Sequence, residues 1–204
     1  SVERGCGYWA WKPYIIEEVM DRSCEGDVLL YCDAGCEVDV RQRDALLEDV
    51  GKVGDVKLID KRGKDNVLQR CKMDLVLKFT DEPSTYSNKV MRHAGAAMFS
   101  VCEETHAFVT DWLRYCQDRH LLDDSPSVAP NFSGFLGHRH DQSIWTLLRY
   151  AYDFPVDDRP WSIITKETGA TWSSRHKNPA QKLPYIMCPG GARGRSILTQ
   201  RTTT

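Results

Sequence analysis

The chain has no Gly-x-Gly-x-x-Gly after a strand, no Gly-x-x-x-x-Gly-Lys-Ser/Thr and no Gly-x-Ser-x-Gly. These gaps argue against a dinucleotide-binding oxidoreductase, a P-loop enzyme and a serine hydrolase. It also has no apolar run long enough to span a bilayer and no signal-peptide pattern at its N-terminus. Long runs of one charge are missing too. Twenty-seven basic against twenty-nine acidic residues leave a formal charge of −2, so there is no electrostatic footprint for nucleic acid or an anionic membrane. Finally, there is no Cys-x-x-Cys pair. The eight cysteines (Cys6, Cys24, Cys32, Cys36, Cys71, Cys102, Cys116 and Cys188) are scattered, which favours buried thiols over a disulfide framework.

What is present suits one enzyme-sized domain. With 204 residues, 41% of them hydrophobic, the chain can bury one sizeable core, in a single domain expected over residues 1–188 whose C-terminal quarter takes no part in the core. The end, from Pro189-Gly190-Gly191 to Thr204, reads as a flexible tail, and five prolines from Pro155 to Pro189 break the stretch before it. Further upstream, periodicity predicts short helices over 41–50 and 141–152, a longer one over 104–117, and strands over 28–31, 56–59 and 94–101. The 61–66 stretch Lys-Arg-Gly-Lys-Asp-Asn reads as a turn, followed by an element over 74–79. Residues 121–134, rich in Asp, Ser and Pro, form a long loop of the kind that often carries function.

The densest information lies in the first forty residues. Gly7-Tyr8-Trp9-Ala10-Trp11-Lys12-Pro13 opens a helix, with Pro13 in the first turn, Ile15, Ile16, Val19 and Met20 on one face, and Gly26 as a stop. The apolar run Val28–Tyr31 follows, of the kind that burial on both faces of a parallel sheet produces, and ends at Cys32-Asp33-Ala34-Gly35. Ligands in open α/β sheets sit beyond the carboxyl ends of strands, which puts Asp33 where a divalent cation would bind. The small pair Ala34-Gly35 lets a phosphate or sugar approach the backbone.

This stretch resembles the metal-binding segment of GT-A-fold glycosyltransferases, in particular a group with a Gly-Tyr-Trp-x-Trp-Lys-Pro opening and an Asp-Ala-Gly-Cys turn. Two later blocks extend the resemblance. Met91-Arg92-His93-Ala94-Gly95-Ala96-Ala97-Met98-Phe99 is similar to a strand lining the sugar site, and Phe135-Leu136-Gly137-His138-Arg139-His140-Asp141-Gln142-Ser143-Ile144 to a His-Asp-Gln-Ser segment. The resemblance implies an α/β fold with a mostly parallel, Rossmann-like sheet flanked by helices. Relative to that pattern, an N-terminal βα unit is missing.

The implied activity is metal-dependent transfer of a sugar from a nucleotide-diphosphate sugar to a glycan or glycoprotein acceptor. Mn²⁺ or Mg²⁺ at Asp33 would offset leaving-group charge, and His176 is the implied second metal ligand, with Arg175 or Lys177 near the diphosphate. The implied donor site comprises Trp9, Trp11, Lys12, Asp33, Ala34, Gly35, Gly95, His140 and Gln142. Asp141 is the implied catalytic carboxylate: a general base if configuration inverts, an orienting group for the donor if it is retained. Gly35 replaces the second carboxylate of the usual Asp-x-Asp motif, and Glu37 and Asp39 are the nearest substitutes.

Plainer readings compete with each of these. Asp141 can cap a helix, Asp33 can be a turn residue, and Trp9 and Trp11 can be core. His138 and His140 can join Cys32 and Cys36 on zinc, although no standard zinc spacing is met. The rival to an enzyme is a non-catalytic binding or structural module. The compartment is cytoplasmic in a bacterium or large virus, and the Golgi lumen if a eukaryotic anchor has been removed.

Overall fold

The computed structural model describes residues 4–155 apart from 35, 39–43, 45–47, 49 and 54–56, together with 171–173. Its strands are β1 (Val28–Cys32), β2 (Cys36–Val38), β3 (Leu58–Asn66), β4 (Val90–Ser100) and β5 (Thr171–Ser173). Its helices are α1 (Trp11–Met20), α2 (Val67–Arg70), α3 (Met73–Val76), α4 (Glu103–Gln117), α5 (Arg119–Leu122) and α6 (Asp141–Ala151), with a 3₁₀ turn at Pro83–Tyr86. Residues 44, 48 and 50–53 are also helical; the rest of the helix expected over 41–50 lies outside the described residues, as does the expected tail.

The strands pair as a three-stranded sheet in the order β1-β4-β3 and a two-stranded sheet β2-β5. β1 runs antiparallel to β4, from Val28 opposite Ser100 to Cys32 opposite Ala96, and β2 runs antiparallel to β5. β3 and β4 are joined at their ends by Ser100 N–H to the Lys57 carbonyl (2.8 Å) and Val67 N–H to the Lys89 carbonyl (3.0 Å). Those two bonds run in opposite chain order, so this pair is antiparallel as well. The mostly parallel, Rossmann-like sheet expected from the sequence is therefore overturned. The apolar run of β1 is indeed buried, but burial on both faces does not dictate strand direction.

Two local expectations also change. The polar stretch 61–66 continues β3 instead of turning, and Gly63 shows why: a Cβ there would lie 2.7 Å from the Met91 carbonyl oxygen of β4. Composition alone reads such a stretch as a turn, whereas pairing with a neighbour makes it a strand. The element expected over 74–79 begins with the short helix α3.

The chain divides into two compact units. The first comprises Ser1–Asp21, Asp60–Ala94 and His106–Phe154. Its core is aromatic: Phe108 and Trp112 of α4 meet Trp145 of α6 edge-on, at centroid distances of 4.9 and 4.8 Å. Ile144, Leu147 and Leu148 complete the buried face of α6. α1 buries Lys12, Pro13, Ile16 and Met20 along one stripe and leaves Ile15 exposed. The second unit comprises Arg22–Ile59, Gly95–Thr105 and Pro155–Thr204. Its core packs Val28, Leu30 and Cys32 of β1 against Ala96 and Met98 of β4, with Val53 and Ile59.

Candidate functional site

The implied site residues fall into two groups, one in each unit. In the first unit, α1 and α6 bring the first and third sequence blocks together. Lys12 Nζ lies 3.1 Å from Asp141 Oδ2, both side chains being almost wholly buried. Burial of a lysine and an aspartate demands mutual compensation, and this pair supplies it. Asp141 is the first residue of α6, where the helix dipole also favours an anion. The cap position itself belongs to His140, which makes no capping hydrogen bond. The Trp112 indole N–H donates to the Asp141 carbonyl at 3.1 Å, fixing the start of α6 against α4. Cys116 belongs to the same neighbourhood, its thiol pKa pushed well up by burial and, secondarily, by the Asp141 charge.

The backbone here is strained. His140 sits at φ 53°, ψ −125°, a region that non-glycine residues rarely occupy. Gly5, Cys6, Gly7, Tyr8 and Trp9 all have positive φ and form a left-handed turn, and at Gly5 a Cβ would lie 2.4 Å from the Trp9 ring. Left-handed torsions cost roughly 1–2 kcal/mol per non-glycine residue, and such strain concentrates at functional sites. The turn lays the Tyr8 and Trp9 rings against the His140 imidazole, at centroid distances of 4.7 and 5.8 Å. Trp11, 41% exposed, donates its indole N–H to the Gly5 carbonyl at 3.1 Å. Gln142 donates to the Arg92 carbonyl of β4 at 2.9 Å.

Both histidines of the third block are buried and their pKa values lowered, chiefly by desolvation. His138 is pushed down to about 3, the nearby His140 and Lys72 adding to the effect. Its hydrogen bonds agree: Nδ1 accepts the Lys72 backbone N–H at 3.2 Å while Nε2 faces the Leu121 carbonyl at 2.9 Å. A second ring proton would point at that N–H donor. Because the folded-state pKa lies below the ordinary value near 6.5, the unfolded chain binds more protons, and stability falls as pH drops from about 6.5 toward 3. Urea unfolding followed across that range is expected to show this slope, and His138→Gln, though less stable throughout, to flatten it. An unchanged slope in the variant would remove His138 as its source.

In the second unit, Asp33 follows β1 directly. Its N–H donates to the Gly95 carbonyl at 2.7 Å, and the Tyr31 hydroxyl donates to its Oδ1 at 2.8 Å. A Cβ on Gly95 would stand 2.9 Å from Asp33 Oδ2, so the glycine of the second sequence block leaves the carboxylate its space. The turn closes through Cys36 N–H to the Asp33 carbonyl at 2.8 Å, with Ala34 exposed. The Cys36 thiol points at the Gly95 carbonyl, 3.7 Å away. The Cys32 thiol is pushed far up by its hydrogen bond with Cys36 and by burial, which keeps it protonated. Among the described residues no group of three or more His, Cys, Asp or Glu is placed to hold a metal, so no zinc set of Cys32, Cys36, His138 and His140 assembles there. Gly35, Asp39, Arg175, His176 and Lys177, and the side chain of Glu37, lie outside what the structure describes.

Four participants went unread in the sequence. Tyr31 reads as part of an apolar run, yet the two-residue period of a strand places it on the same face as Asp33. Asp60, Arg92 and Arg149 carry no local pattern that marks them as partners, and the structure joins them in a buried cluster. Comparison with protein-family models, with curated proteins and with solved structures finds no match to this chain.

Proposed function

We propose that the chain transfers a sugar from a nucleotide-diphosphate sugar to an acceptor hydroxyl. The observation that carries this reading is the Asp33–Gly95 arrangement: a half-buried carboxylate just past a strand end, oriented by Tyr31 and facing a residue with no side chain. A hard divalent cation at a phosphate site takes one or two protein carboxylates and completes its shell with substrate oxygens, so this cradle fits Mn²⁺ or Mg²⁺. When bound, the cation supplies Lewis-acid stabilisation of the departing diphosphate. Asp33 would hold it, and Gly95 leaves that carboxylate its space.

The second support is the chemistry of the first unit. The buried Lys12–Asp141 pair, the strained His140 and the Tyr8 and Trp9 rings together make a preorganised polar site next to aromatic surface. A carboxylate already engaged by an ammonium suits orienting hydroxyls better than collecting a proton, so Asp141 is assigned an orienting role.

Calorimetric titration of nucleoside diphosphates and nucleotide-sugars, with and without Mn²⁺, tests the reading. Metal-dependent binding is expected in the native chain and at least about a tenfold loss in Asp33→Ala, equivalent to about 1.4 kcal/mol. Gly95→Ala should lose binding similarly, because its Cβ would lie 2.9 Å from Asp33 Oδ2. Absence of binding to the native chain would sink the transferase reading in favour of a non-catalytic module.

A further inference from the structure

A hydrogen-bonded relay in the first unit takes no part in the reading above. His120 of α5 places Nε2 2.6 Å from Asp74 Oδ2 and Nδ1 3.2 Å from Ser125 Oγ. Asp74 also accepts the backbone N–H of Val128 on Oδ2 (2.7 Å) and of Ala129 on Oδ1 (2.8 Å). Burial alone would raise its pKa, but the Ala129, Val128 and His120 bonds together bring it below the ordinary value. A carboxylate can only accept, so Nε2 carries a proton, and in the neutral imidazole Nδ1 then offers its lone pair to the Ser125 hydroxyl.

Ser125 is held from its other sides as well. Lys72 Nζ donates to Ser125 Oγ at 3.1 Å and to the His120 carbonyl at 2.6 Å, and stands 3.4 Å from Asp123 Oδ1. That Asp123 oxygen accepts the Ser125 N–H at 2.9 Å. The serine oxygen thus lies between an imidazole nitrogen and a buried ammonium, an arrangement that favours loss of its proton when that nitrogen is free to accept it.

We propose that Ser125 is a nucleophile toward esters, with His120 as its base and Asp74 as the residue that orients His120. Such a triad is defined by geometry and roles, not by motif or chain order. The imidazole is used in the reverse sense to the common serine-hydrolase arrangement, with Nδ1 toward serine and Nε2 toward the carboxylate. In the first step the Ser125 hydroxyl proton passes to His120 Nδ1 as Oγ bonds the ester carbonyl carbon. The carbon–oxygen bond of the ester then breaks, and the departing alcohol takes that proton. Water repeats the sequence, releasing the acid and restoring Ser125. The Lys72 ammonium offsets the charge that develops beside Oγ. The His120 side chain is 42% exposed, so the relay is open to solvent. The loop carrying Ser125 also exposes Val128 and Phe132, which points to esters with apolar acyl groups.

The test treats the full chain with a fluorophosphonate probe, which forms a phosphorus–oxygen bond to an activated serine and expels fluoride, and locates the adduct by mass spectrometry. Hydrolysis of p-nitrophenyl butyrate is followed in parallel. Ser125 is expected to be labelled, with labelling and hydrolysis reduced at least about tenfold in His120→Gln and abolished in Ser125→Ala. An unlabelled Ser125 in the folded native chain, or labelling at the native rate in a folded His120→Gln, overturns the proposal. If His120→Gln does not fold, Ser125→Ala decides, and hydrolysis equal to the native rate refutes the site.

Discussion

Replacing Asp60 by asparagine is expected to cost about 3–5 kcal/mol of stability, because it strips two buried guanidinium groups of their shared counter-charge. Arg92 donates from Nε to Asp60 Oδ1 at 2.9 Å and from Nη2 to the same oxygen and to the Asp60 carbonyl. On the other carboxylate oxygen, the Trp145 indole N–H donates at 2.8 Å and Arg149 Nε at 3.3 Å. All four residues are buried, so water cannot replace the lost partner. Burial already lowers the Arg149 pKa, an effect that Asp60 opposes and Arg92 reinforces. Arg149 Nη1 has no hydrogen-bond partner among the described residues. Arg149→Met, which removes that orphan donor and one excess charge, is therefore expected to cost much less than Asp60→Asn, and to recover part of the loss when the two are combined. Urea unfolding of the three variants measures this. An Asp60→Asn cost under about 1 kcal/mol would show that the cluster does not hold the first unit together.

The Lys12–Asp141 pair yields the second large effect. Lys12→Met and Asp141→Leu are each expected to cost about 3–5 kcal/mol, since each leaves the opposite charge buried, whereas the double variant should regain most of that stability. The same cycle separates packing from function. If the pair serves sugar transfer, the refolded double variant binds nucleotide-sugar no better than either single variant, and its transfer activity is absent. A double variant that is both stable and active would reduce the pair to a structural device and remove Asp141 from the proposed machinery.

The elements with a clear period are legible in the sequence. α4 and α6 lie within a residue of their expected bounds, since the apolar residues of each recur at helical spacing and find a common core. β1 was legible as a buried apolar run, and β4 as a strand that proved longer at its N-terminal end. β3 was legible only at its start, where Leu58 and Ile59 fall in the strand expected over 56–59; its Lys-Arg-Gly-Lys-Asp-Asn half has turn composition, and only the close approach of β4 at Gly63 makes a strand of it. Within the two candidate centres, Lys12, Asp33, Gly95, His140 and Asp141 were named from motif alone. Their partners were not, because Tyr31, Trp112 and Leu122 reach them through strand faces, helix crossings and carbonyls that leave no mark on composition.

By itself the sequence determined the bounds of α4 and α6 and the buried apolar run of β1, because the spacing of apolar side chains acts over a few residues. Strand direction, the Lys12–Asp141 and Asp60–arginine pairings, the lowered pKa of His138 and the left-handed turn over Gly5–Trp9 were decided only in the tertiary structure. The reason is physical. An antiparallel partner, a buried counter-charge or a desolvated imidazole exists only once distant segments exclude water together, and no local preference encodes that event.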